Sequence, residues 1–264
     1  MTWEFREEAE VLEALSKQFA FPSTYLVLDC ETTGFSKARD FMVDAGWAVV
    51  KDNQIVHREG LLLDWSRVNV DHGFIQSQLR RQARQYAEVG RPHYYSWERL
   101  CDEGENPFEV VHVYAQLIYD HIKHPDSMIV GHGLWRFDRE VIDSHTQRFL
   151  QGYLLPWQLN SIFDTGLLEK AAQMGRAPYE NETLDEWLRR VNNANARVKW
   201  NLENHCVPKY RLVERYGVDM ALMHTAGFDC VLIRHLLDTL RQLTEILNGQ
   251  KTRLEGCEGG AAQG

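Results

Sequence analysis

The sequence predicts an α/β fold in which helices flank one mixed β-sheet, made of an antiparallel meander and of parallel strands. Three β-prone segments follow one another near the N-terminus, and the pair Asp52-Asn53 suits a tight hairpin turn between the second and third. After this meander, segments of helical periodicity alternate with two short apolar strands. Such an order of elements favours a single sheet sandwiched between helices.

The elements follow from local periodicity and from residues that start or stop helices. Apolar residues recur at steps of three or four over residues 3–19, which predicts an amphipathic helix that Pro22 ends. The predicted strands cover residues 25–30, 42–51, 54–63, 128–131 and 161–164. The later predicted helices cover about 73–89, 107–123, 137–151, 165–174, 182–191 and 225–247. Asp164 is predicted to cap the helix that follows it.

Length and composition indicate one globular domain with insertions, or at most two domains, because the chain has 264 residues and is 44% hydrophobic. We divide it into an N-terminal helix (1–22), a main domain (23–248) and a Gly- and Ala-rich tail (249–264) that is expected to be flexible. The segment 192–209 is polar and irregular.

Charge, hydropathy and cysteine usage narrow the class of protein. The net charge of −9 argues against a protein that coats nucleic acid through bulk positive charge, but not against an enzyme that holds phosphates through metal ions. No apolar run approaches the roughly 18 residues that span a bilayer, so no membrane partner is expected. The five cysteines are scattered, without zinc-ligand spacing or a disulfide framework, which predicts a reduced, cytoplasmic location.

Two acids stand at the end of the first predicted strand, in the stretch Tyr25-Leu-Val-Leu-Asp-Cys-Glu-Thr-Thr-Gly34. Asp29 and Glu31 are two residues apart, so both project from one face of a strand that is otherwise apolar. Burial of two like charges is unfavourable unless a cation compensates them, which predicts a site for a divalent metal ion. The alternative is a strand that ends at a solvated acidic edge.

Three further residues can complete such a site. Asp138 follows a Gly-rich turn at the start of a helix, where an acid is also favoured by the helix dipole alone. Asp229 is predicted in the second turn of the last long helix, with His224 in the loop before it. Four carboxylates can bind two Mg²⁺ or Mn²⁺ ions that clamp a phosphodiester. Histidine suits the removal of a proton near neutral pH, which makes His224 a candidate general base.

The ordered motifs D-x-E-T-T-G (29–34), G-H-x(4)-F-D (131–138) and H-x-A-x-x-D (224–229) resemble the DEDDh exonucleases. These are the DnaQ-like group of the ribonuclease H-like superfamily, and the match spans residues 25 to about 240. The resemblance implies a ribonuclease H-like fold and an exonuclease domain over residues 23–248. It implies the following residues as ligands of two divalent cations: Asp29, Glu31, Asp138 and Asp229. It also implies His224 as the general base.

The same resemblance implies residues that hold the 3′-terminal nucleotide. Thr32, Thr33 and the backbone around Gly34 would bind it, and Phe35 would pack on its base or sugar. Gly133 departs from the family pattern, since many relatives have Asn at that position, and a side-chain contact is therefore expected to be missing.

Four interpretations of the whole chain stay open from sequence. The first is a 3′→5′ exonuclease on single-stranded DNA or on a frayed 3′ end, and the second is an exoribonuclease on RNA 3′ ends. The third is a catalytically weak module that docks on a polymerase or another protein, and the fourth is a plain cation site in an unrelated α/β protein. The presence of all five expected residue types favours an enzyme.

The resemblance further implies insertions at about 64–106 and 192–209, because both segments are longer than in the smallest members of the family. The first of them combines arginines with aromatic residues, a composition that suits single-stranded nucleic acid through phosphate contacts and base stacking. A helical insertion with a solvated basic face is the alternative.

Overall fold

The computed structural model describes residues 6–124, 127–157 and 162–258. Its centre is a five-stranded mixed sheet with strand order β3-β2-β1-β4-β5. The strands are β1 (Tyr25–Thr32), β2 (Met42–Lys51), β3 (Gln54–Leu62), β4 (Met128–Gly131) and β5 (Ile162–Asp164). The β1–β2 and β2–β3 pairs are antiparallel, and the β1–β4 and β4–β5 pairs are parallel. The predicted mixed sheet, an antiparallel meander with parallel strands flanked by helices, is confirmed.

Ten helices are assigned within the described residues. They are α1 (Arg6–Gln18), α2 (His72–Glu88), α3 (Trp97–Glu103), α4 (Pro107–Ile122), α5 (Asp138–Phe149), α6 (Thr165–Gln173), α7 (Leu184–Asn193), α8 (Val207–Lys209), α9 (Leu212–Tyr216) and α10 (Ala226–Glu258). Short 3₁₀ turns cover Trp65–Arg67 and Met220–Leu222, and a π-helical turn covers Leu202–Cys206. None of the helices in the described part of the chain has the length and apolar character that a membrane span requires.

Residues 25–28, at the start of β1, are fully buried, which fits the centre of a sheet between layers of helices. One group of mutually packed helices is α4 with α5, and another is α1 with α6 and α10; both groups contact β1. The apolar run of β1 therefore leads to its two acids, Asp29 and Glu31, which are half-buried at the end of the strand.

Most predicted elements lie within a few residues of their observed bounds, and the differences have local causes. The segment 192–209, predicted as irregular, contains the π-helical turn and α8. The last helix extends to Glu258 rather than to about residue 247, and Asp229 lies in its first turn rather than its second. The Asp164 cap is confirmed, because its carboxylate accepts from the amides of Gly166 and Leu167. Residues 1–5 and 259–264 of the predicted helix and tail, and Ser161, lie outside the described residues.

Glycines let the start of α10 lie directly on the sheet. A Cβ atom at Gly46 of β2 would lie 2.1 Å from the carbonyl carbon of Ala226, the first residue of α10. A Cβ atom at Gly60 of β3 would lie 3.2 Å from the amide nitrogen of Gly227. Backbone therefore packs against backbone at this crossing, which fixes where the residues on either side of Ala226 stand relative to β1.

We expect the substitution Gly46→Ala to lower the free energy of unfolding by about 3 kcal/mol, because the new methyl group has no space against backbone that cannot rotate away. Urea denaturation followed by circular dichroism measures this change. Gly73→Ala is the matched control, since a Cβ atom there would meet its nearest heavy atom at 3.4 Å. Equal stability of the two variants would contradict the close crossing of α10 over the sheet.

His145 of α5 is a fully buried structural histidine that gives the fold a pH dependence. Its Nδ1–H donates to the Val141 carbonyl at 2.8 Å, and its Nε2 accepts from the Met42 amide at 2.9 Å. Burial lowers the pKa of His145 from 6.5 to about 4. Between these values the unfolded chain takes up a proton that the folded chain refuses, so this group lowers stability as the pH falls.

For the wild-type protein we expect His145 to contribute a loss of about 2 kcal/mol between pH 7 and pH 5. The comparison is between urea unfolding curves of wild type and His145→Gln at both pH values. The variant should be less stable at pH 7 and should lack this part of the pH dependence. An identical pH dependence in both proteins would show that His145 is not the group responsible.

Candidate active site

The end of β1 brings the predicted acids of the first motif against the start of α5. The Cys30 amide donates to Asp138 Oδ1 at 3.3 Å, and the Cys30 thiol lies 3.0 Å from the same oxygen. Because α5 begins at Asp138, directly after the turn that follows β4, the parallel pairing of β1 with β4 sets this approach. The charge of Asp138 acts on the carboxyls of both Asp29 and Glu31, so three of the four predicted carboxylates lie close together at the end of β1.

The last motif joins them from α10 and the loop before it. Glu31, His224 and Asp229 each offer a ligand atom, and these atoms lie within 4.8 Å of one another. His224 Nδ1 is 3.9 Å from Glu31 Oε1, and the His224 amide lies 3.2 Å from Asp229 Oδ2, to which it donates. The structure thus gathers at one place the five residues that the sequence singled out as catalytic candidates.

These carboxylates are uncompensated as they stand. Burial raises the pKa of Asp138 to about 6, against the opposing effect of hydrogen bonds from Cys30. Burial, reinforced by the charges of neighbouring acids, raises the pKa of Asp29, Glu31 and Asp229 well above the usual range of carboxyl groups. A divalent cation removes both penalties at once, and oxygen-rich clusters suit hard cations. The residues present therefore fit a Mg²⁺ or Mn²⁺ site.

A fifth carboxylate, Asp44 of β2, is a site residue that the sequence reasoning missed. It pairs with Glu31 in the sheet register, is buried, and accepts from the Ala226 amide at 3.0 Å. Its Oδ1 atom has no hydrogen-bond partner among the described residues. Asp44 thus caps the start of α10 beside the site. The sequence feature that could have indicated Asp44 is a single acid within the otherwise apolar strand β2.

The backbone of His224 has an unusual conformation, and residues of the first predicted insertion pack against this histidine. Its φ of +66° is a left-handed conformation, which is uncommon for a residue with a side chain. The Tyr95 hydroxyl lies 2.7 Å from the His224 carbonyl oxygen, and the Tyr86 ring packs edge-on at 5.7 Å from the imidazole. Gln82 of α2 donates to the Thr32 carbonyl at 2.9 Å. The insertion at 64–106 therefore forms one wall of the site.

The loop after β1, predicted to hold a nucleotide, is organised by Asp40. The Thr33 hydroxyl is fully buried, lies 3.1 Å from Asp40 Oδ1 and accepts from the Phe41 amide. Gly34 is required here because a Cβ atom would lie 2.6 Å from Asp40 Oδ2. The Thr32 hydroxyl donates to the Gly34 carbonyl.

Phe35 is the exposed end of this loop. Its side chain is 91% exposed, and its ring lies 6.4 Å from that of Phe137. Two aromatic rings next to the carboxylates offer a stacking surface.

Gly133 is the position where the sequence departs from the family pattern, and Trp200 fills the space beside it. Gly133 has a φ of +83°, and a Cβ atom there would lie 3.4 Å from the Trp200 ring. A Cβ atom at Gly166 would lie 2.7 Å from the same ring. The second predicted insertion therefore packs onto the turn that leads to Asp138, with Trp200 against the backbone of Gly133.

No protein-family model matches the chain, and no curated protein matches it. Solved structures do match. A complex of E. coli exonuclease I with a dA16 oligonucleotide has a TM-score of 0.54 and 18% identity, covering 85% of this chain and 43% of that one. A complex with dT13 has a TM-score of 0.55 and 17% identity, covering 86% and 43%.

The zinc-bound form of the E. coli exonuclease I complex with single-stranded DNA has a TM-score of 0.54 and 18% identity, and covers 86% of this chain and 43% of that chain. This likeness establishes the fold. The chain spans less than half the length of these exonuclease I chains.

We expect Mn²⁺ or Mg²⁺ to raise the melting temperature of the protein, because the ion replaces protons on carboxyls whose pKa values burial has raised. For the same reason the increase should be large at pH 8 and small at pH 5, below the pKa of about 6 of Asp138. Differential scanning calorimetry with and without the ion measures both.

Asp138→Asn should lose most of the metal-dependent increase. The matched control is Asp238→Asn, another buried acid with a raised pKa, which is paired with Arg234 and Arg241 nine residues beyond Asp229 on α10. This control should keep the increase. An equal response of both variants to the ion would place the cation elsewhere.

Proposed function

We propose that this chain is a metal-dependent 3′→5′ exonuclease that removes nucleotides from single-stranded DNA. The observation that carries the proposal is the cluster of Glu31, His224 and Asp229, whose ligand atoms lie within 4.8 Å of one another beside Asp29 and Asp138. The cluster lies on a fold shared with E. coli exonuclease I, which has been solved in complexes with dA16 and dT13 oligonucleotides.

Asp29, Glu31, Asp138 and Asp229 would hold two divalent cations, Mg²⁺ or Mn²⁺, whose chemistry is the activation of water and the stabilisation of a leaving oxygen. His224 accepts the proton of the attacking water at a ring nitrogen that faces Glu31. Its backbone is fixed by Tyr95 and by the Asp229 carboxylate, so the imidazole is placed before substrate arrives. Phe35 and Phe137 stack on the base of the 3′-terminal nucleotide, and the backbone of residues 32–34 contacts its sugar.

Single-stranded DNA is preferred to RNA in this proposal because the exonuclease I complexes contain deoxyoligonucleotides. Action on RNA 3′ ends is the alternative outcome of the same assay. Docking on a polymerase or another protein partner stays a prediction from the resemblance.

The test is a nuclease assay with 5′-labelled single-stranded DNA and Mg²⁺ or Mn²⁺, in which we expect a ladder that shortens from the 3′ end. Asp29→Ala and His224→Ala should each reduce kcat by at least about 100-fold, because each removes a group on which the chemical step depends. Chelation of the metal should abolish activity.

Further substrates and a control variant distinguish action on DNA from action on RNA and test the direction of degradation. A matched RNA measures sugar preference, and a blocked 3′ end should prevent degradation. The control variant is Asp143→Asn. Asp143 lies one turn beyond Asp138 in α5 and accepts a hydrogen bond from the Trp157 indole, so this variant should retain activity. If the wild-type protein degrades neither polymer, the chain is not an exonuclease.

A further inference from the structure

The two ring nitrogens of His224 face two different carboxylates. Nδ1 lies 3.9 Å from Glu31 Oε1, on the side of the acidic cluster. Nε2 lies 3.4 Å from Glu203 Oε2, on the opposite side of the ring. Nε2 has no hydrogen-bond partner that meets the usual geometric criteria among the described residues. The Glu203 carboxylate is therefore the polar group that faces it. Glu203 belongs to the second predicted insertion and to none of the three sequence motifs.

A neutral imidazole carries one proton, and the group that faces each nitrogen decides which of them holds it. Both neighbours are carboxylates, which act as acceptors, but Glu203 Oε2 at 3.4 Å is nearer than Glu31 Oε1 at 3.9 Å, so the closer contact favours N–H at Nε2 and leaves the lone pair on Nδ1. We propose that Glu203 is a positioning residue that holds the His224 ring with Nε2–H towards itself and Nδ1 as the base. This inference rests on the exonuclease function proposed above.

Glu203 is itself held in place by an arginine from the other insertion. Arg91 Nη1 donates to Glu203 Oε2 at 2.6 Å, and Arg91 Nη2 donates to Asn204 Oδ1 at 2.8 Å. The Asn204 side-chain amide also donates to Glu203 Oε2, at 3.1 Å. Charge-assisted bonds of this length restrict the carboxylate to one orientation. The oxygen held by these bonds, Oε2, is also the one that faces His224 Nε2, so the position of Glu203 beside His224 does not depend on His224 alone.

The segment that carries Glu203 is fixed on both sides. Before it, Trp200 packs on Gly133 and Gly166, and the Trp200 carbonyl accepts from His132 at 2.6 Å. After it, Lys209 and Tyr210 bond to Glu169, a fully buried acid of α6. Asn201 caps the π-helical turn by accepting from the Asn204 amide at 2.8 Å. A mobile surface loop would have no such anchors, so the geometry at His224 is built into the fold.

The first test is kinetic. Glu203→Gln removes the charge at nearly constant size, and we expect kcat on single-stranded DNA to fall about 10- to 100-fold with KM within about twofold of wild type. An anionic residue that only positions His224 does not contribute to phosphate binding, which is why KM should hold. A raised KM with an unchanged kcat, or no change in either, overturns the proposal.

Glu182→Gln is the matched control. Glu182 has a similarly buried side chain and a similar ion pair, with Arg190 at 2.7 Å, near the start of α7. It should lose stability comparably and keep kcat. Melting temperatures of both variants separate misfolding from mispositioning, and a loss of kcat in Glu182→Gln equal to that in Glu203→Gln also counts against the specific role of Glu203.

The second test needs neither metal nor activity. Long-range ¹H–¹⁵N correlation spectra of the metal-free protein near pH 8.5 distinguish the tautomers of each imidazole, and the His224 signals are assigned by their loss in His224→Ala. We expect the Nε2–H tautomer in the wild type and a mixture of tautomers in Glu203→Ala. An Nδ1–H tautomer in the wild type overturns the proposal. Because this readout is independent of catalysis, it decides the role of Glu203 even if the protein shows no nuclease activity.

Discussion

The structure depends on the meeting of like-charged carboxylates in its interior. Asp29 and Glu31 are carried inward by an apolar strand, and Asp138 and Asp229 arrive on the first turns of two helices. Burial raises the pKa values of all four carboxyls, and the charges of neighbouring acids add to this effect, so the site is unfavourable until protons or a cation neutralise it. Such a conflict persists only where the rest of the fold supplies enough stability to enforce it.

The enforcement comes from backbone contacts rather than from opposing charges. Gly46 and Gly60 let α10 approach the sheet at van der Waals distance, and Asp44 caps its first residue. Parallel pairing of β1 with β4 places the turn before α5 next to Cys30, whose amide and thiol contact Asp138. Apart from the contacts that Asp138 itself receives, these supports involve none of the proposed cation ligands, so the site geometry would be prepared before an ion binds, which reduces the reorganisation needed on binding.

Local periodicity sufficed to predict the sheet and most helices, since each element is long and strongly patterned, and the ordered motifs pointed to the five clustered residues. Asp44 and Glu203 could not be found in this way. The proximity of Asp44 to Glu31 depends on the register between β1 and β2, and that of Glu203 to His224 depends on where a 192–209 segment without periodicity folds back. Both are long-range consequences of packing, which a single sequence does not encode in any short pattern.

The two predicted insertions show how segments outside the motifs can shape the site. Residues 64–106 bring Tyr86, Arg91 and Tyr95 to one side of His224, and residues 192–209 bring Glu203 to another, with the Arg91–Glu203 pair joining them. Neither segment contributes a motif residue, yet together they surround the only candidate base among the clustered residues. In this scaffold the carboxylates lie on strands and helices, whereas the residues that position the histidine lie on the predicted insertions. The insertions can therefore change in sequence without disturbing the carboxylates. Differences in rate and substrate among proteins of this fold can therefore arise outside the motifs, in the segments that orient the histidine.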